Sequence, residues 1–70
     1  MLLDHLIQAQ QNVAEGETRI AAQRRRIAEL QRACRDTSAD EELLRAYLSS
    51  QRVCEEILAK VRAEISKLKS

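Results

Sequence analysis

The sequence predicts an all-α protein, an antiparallel two-helix hairpin with coiled-coil-like packing that is expected to dimerise into a four-helix bundle. Three observations predict it. The 70-residue chain has no Pro, one Gly, and Tyr47 as its single aromatic, a composition of long helices rather than sheets. Apolar residues recur in alternating steps of three and four along two arms. Between the arms lies a cluster of helix-stop and helix-start signals. The expected organisation is one unit over residues 1–70: helix 1 about 2–34, a turn about 35–38, and helix 2 about 39–69.

In helix 1 the repeat is a strict heptad. Leu6, Val13, Ile20, Ile27 and Cys34 occupy one seam position, and Leu2, Ala9, Gly16, Gln23 and Leu30 the other. Gly16 costs about 1 kcal/mol relative to Ala inside a helix, so a close approach by the facing helix is expected there.

The turn signals come next. Arg32 and Arg35 suit the negative end of a helix, and Asp40, Glu41 and Glu42 suit the positive start of another. Ser38 with Glu41 has the spacing of a capping box, and Thr37 with Asp40 offers the same pairing one residue earlier.

Helix 2 resumes the seam as Leu44, Tyr47, Gln51, Cys54, Leu58, Val61, Ile65 and Leu68. Carrying the first heptad straight through would put Glu55 and Arg62 into the seam, which argues against one continuous helix. Folding the arms back about Thr37 pairs Leu6 with Leu68, Ala9 with Ile65, Gly16 with Leu58, Ile20 with Cys54 and Ile27 with Tyr47. The same register brings Gln23 and Gln51 into one layer as a polar pair that specifies it.

A second apolar stripe flanks each seam: Leu43, Ala46, Val53 and Ile57 on helix 2, and Leu3, Ile7, Ala14, Ala21 and Ala28 on helix 1. Heptad geometry points the two stripes to opposite sides. A two-helix hairpin cannot bury both, and a core of this size seldom supplies more than about 3–5 kcal/mol unaided. Self-association into a homodimer through Leu43, Ala46, Val53 and Ile57 is the expected resolution.

Asp4-His5-Leu6, Val13-Ala14-Glu15-Gly16-Glu17, Ile20-Ala21, Gln23-Arg24, Ile27-Ala28-Glu29-Leu30, Asp36-Thr37 and Leu43-Leu44 resemble a group of short, uncharacterised bacterial helical-hairpin proteins, from the N-terminus to Gln51. The chain departs in having Cys34-Arg35 where that group tends to have Gly before its Asp-Thr turn. The resemblance implies a hairpin of bacterial, cytoplasmic origin and carries no functional residue with it.

Twelve Lys and Arg against eleven Asp and Glu leave a formal charge of +1, so the chain as a whole has no bias toward nucleic acid or acidic membrane. Local clustering is the exception. Arg19, Arg24, Arg25 and Arg26 concentrate charge on helix 1 and are candidate phosphate contacts. A run of three arginines fans about 200° around a helix, however, and Glu15 with Arg19 and Glu29 with Arg32 are spaced to neutralise each other.

Neither arm has an apolar run long enough for a membrane span. Cys34 and Cys54 lack Cys-x-x-Cys spacing and a suitably placed His, so no metal is expected. His5 has no nucleophile within reach, and the chain shows no phosphate loop or paired-carboxylate concavity. The expected function is therefore non-catalytic, without cofactor: an interaction module that self-associates and binds another, unidentified protein. The alternative is a small nucleic-acid-binding regulator using the arginine cluster.

Overall fold

The computed structural model describes residues 1–69 as two α-helices, α1 (Leu2–Arg32) and α2 (Ser38–Lys69), packed side by side as a hairpin. The body measures 56 × 16 × 14 Å, the dimensions of two long helices lying together.

Helix α1 ends two residues short of the expected Cys34, through a backbone motif rather than a side-chain cap. The Arg35 amide donates to the Leu30 carbonyl at 2.9 Å and the Cys34 amide to that of Gln31 at 3.0 Å. This is the Schellman closure, which needs a left-handed residue at its corner. Cys34 fills that role with φ 56°, a conformation that ordinarily favours Gly. Cys34 is consequently outside the seam and exposed.

The start of α2 also departs from expectation. Asp36 Oδ1 accepts from the Ser38 amide at 3.0 Å and from Ser38 Oγ at 2.7 Å. The Thr37 carbonyl takes the first helical bond, from the Glu41 amide at 2.8 Å. A preceding aspartate thus replaces the capping box expected of Ser38 and Glu41.

Seam membership follows the heptads. Ala9, Gln23, Ile27, Gln51 and Leu58 are buried, and Leu2, Leu6, Val13, Gly16, Ile20, Leu30, Leu44, Tyr47, Cys54, Val61 and Ile65 are half-buried. The register, however, lies one heptad from the pairing about Thr37. Gln51 Nε2 donates to the Val13 carbonyl at 2.9 Å, and a Cβ at Gly16 would overlap Gln51 Oε1 and lie 2.7 Å from its Cδ. Gly16 therefore accommodates Gln51 rather than Leu58. The helices pair about the Ala33–Cys34 bond, so that Ala9 faces Leu58, Val13 faces Cys54 and Ile20 faces Tyr47. Leu68 runs past the end of α1 and is 76% exposed, while Thr37 and Asp40 enter the seam beside Leu30 and Ile27.

The two glutamines do not share a layer. Each instead reaches across to the opposite helix's backbone. Gln23 Nε2 donates to the Asp40 carbonyl at 2.9 Å and to Asp40 Oδ1 at 3.1 Å. Arg26 Nε joins the same oxygen at 2.8 Å, closing a clamp across the turn end of the hairpin. Among the described residues no buried side-chain N or O lacks a partner.

Candidate interaction surface

Two helices in contact leave two broad faces, and the seam phase decides which side chains each displays. On one, Glu17, Ala21 and Arg24 of α1 and Leu48, Arg52 and Glu55 of α2 surround a shallow groove floored by Ile20. This is the Leu48 face. Leu3, Ile7, Ala14 and Ala28 extend it along α1 at heptad spacing.

On the opposite, Ser50 face, His5, Gln8 and Asn12 of α1 form a hollow with Ile57 of α2 over Ala9 and Val61. Asn12 and Arg19 border a second hollow with Tyr47, Ser50 and Cys54. Leu43, Ala46 and Val53 continue the row of Ser50 and Ile57 in steps of three and four. The two apolar stripes thus lie on opposite sides of the hairpin. Leu43 is 42% exposed, Val53 53% and Ile57 49%, and Ala46 is exposed beside them. Leu48, 36% exposed, adds an apolar centre to the other face that the stripe reading of α2 missed. Its signal was present: Leu48 is an isolated Leu between Arg45 and Arg52 on that face.

The four arginines do not converge. Arg26 is bound to Asp40, Arg19 is on the Ser50 face, Arg24 is on the Leu48 face, and Arg25 points away from the seam between them. Neither Glu15 with Arg19 nor Glu29 with Arg32 closes an ion pair. The aspartates near the turn carry the polar contacts instead. The Arg26 guanidinium, followed by the Gln23 amide, holds the Asp40 carboxyl below its ordinary 3.8. Hydrogen bonds from the Ser38 hydroxyl and amide lower that of Asp36. Composition could not mark this clamp, because its members pair only once the register is set.

Both thiols are free, and among the described residues no three His, Cys, Asp or Glu side chains gather as a metal set. No helix of the described residues is long and apolar enough to cross a membrane. Comparison with family models, curated proteins and solved structures gives no match.

Proposed function

We propose that this chain is a small non-catalytic helical interaction module that self-associates into a four-helix bundle and binds another protein. One observation carries the reading. The hairpin buries only a thin seam, with no side chain below 2% exposure among the described residues, while Leu3, Ile7, Leu43, Val53 and Ile57 remain 42–67% exposed. Burying apolar area is the main stabilising term available to a chain this small, at about 25 cal/mol per Å². Stacking hairpins supplies it, and the geometry offers one face for a second copy and another for a different protein.

The division of the arginines supports a protein partner over nucleic acid. Phosphate binding gains from several cations facing one backbone, whereas Arg19 and Arg24 occupy opposite faces and Arg26 is engaged. Tyr47, half-buried in the seam, is not presented for base stacking.

Introducing Val53→Glu with Ile57→Lys is expected to weaken association and lower the melting temperature together, since subunit binding and folding are linked. Partner capture by the immobilised chain is expected to survive nuclease. Binding of duplex DNA or structured RNA tighter than about 1 μM at physiological salt, lost on Arg24→Glu with Arg25→Glu, would overturn the reading.

A further inference from the structure

We propose that the Ser50 face is covered by a second copy of this chain, docked antiparallel about a two-fold axis beside Ser50. The inference rests on the self-association reading and specifies its face and direction. Because the helices pair about the Ala33–Cys34 bond, Ser50 stands at the height of Glu17, midway along the apolar row of α2. A two-fold axis perpendicular to the helices at that height lays α2 on α2 and α1 on α1, each antiparallel.

The sequence of the face is self-complementary under this operation, as an isologous contact requires. Leu43 meets Ile57 of the second copy, Ala46 meets its Val53, and Ser50 meets Ser50. Leu43 arrives over the hollow between Ile57 and the His5, Gln8 and Asn12 row, whose floor is Ala9 and Val61. On α1, Glu15 falls opposite Arg19 of the second copy, an ion pair that occurs twice. Within one chain these two side chains do not pair, which leaves them available.

Other stackings match less well. An axis parallel to the helices would press the polar Gln8, Asn12 and Glu15 row onto Ile57 and Val53. On the Leu48 face, an antiparallel contact centred on Leu48 would set Arg45 against Arg52 and Glu41 against Glu55. Like charges at these positions disfavour that dimer.

The test uses the full chain with Cys34→Ser and Cys54→Ser. Ser50→Cys should oxidise to an intermolecular disulfide, because facing positions on a two-fold helix contact fall within disulfide reach. Leu48→Cys should stay reduced. Independently, Glu15→Arg should weaken dimerisation on the order of tenfold, and adding Arg19→Glu should restore it, with helicity unchanged throughout. A dimer that links through Leu48→Cys, or through neither position, overturns the inference while leaving self-association intact. A monomeric thiol-free parent removes both.

Discussion

Cys34 and Gly16 show how single residues set this fold. Cys34 adopts the left-handed conformation that terminates α1, where a side chain with a Cβ costs about 1–2 kcal/mol relative to Gly. Its thiol is exposed and free, so nothing is lost with it. Cys34→Gly should therefore raise unfolding free energy by about 1 kcal/mol, readable as a higher denaturant midpoint at constant slope. An unchanged or lower midpoint would contradict the closure described. Gly16 is the converse case. Gly16→Ala gains about 1 kcal/mol of helix propensity. Its new Cβ would overlap the Gln51 amide, which is 6% exposed and bonded to the Val13 carbonyl. Displacing that buried amide costs about 1–3 kcal/mol, so the single change should destabilise by roughly 1 kcal/mol. In a Gln51→Ala background the space is empty and the same change should stabilise. A double-mutant cycle in which Gly16→Ala has the same sign in both backgrounds would refute the contact.

At the scale of the helices, the seam was readable from the sequence and the register was not. A heptad pattern states which residues face the partner helix, and slipping one antiparallel helix by seven residues leaves every one of them in place. Pairing about Thr37 and pairing about the Ala33–Cys34 bond are therefore equally good readings of the apolar repeat. The connection decides between them. Closure at Cys34 and the Asp36 contact with Ser38 shorten the turn, which carries Thr37 and Asp40 into the seam and lets Gln23 and Arg26 clamp Asp40. These depend on a non-Gly residue in a left-handed conformation and on cross-helix bonds, neither of which composition announces. The two apolar stripes, by contrast, followed directly from periodicity. A thiol pair distinguishes the registers. With Cys34→Ser, Val13→Cys should oxidise with Cys54 within the chain, since both flank the Gln51 contact. Ile20→Cys lies about 10 Å further along the helix and should not. Bridging by Ile20→Cys in place of Val13→Cys would restore the register about Thr37.

The whole molecule is a thin rod whose interior is one seam wide. Exposed apolar side chains recur at regular spacing on both broad faces, and the polar bonds between the helices concentrate at the turn. Such a body holds its register at the turn end and leaves apolar side chains uncovered along its length. Sequence alone conveyed that excess of apolar surface, because seam and flank together exceed what one facing helix covers. It could not convey which heights on the two helices coincide, and with them the self-complementary order of the Ser50 face. Sedimentation equilibrium of the unaltered, reduced chain at micromolar concentration tests self-association most directly. The predicted result is a mass twice the 8.0 kDa of one chain. A single species at 8.0 kDa that retains full helicity would contradict it.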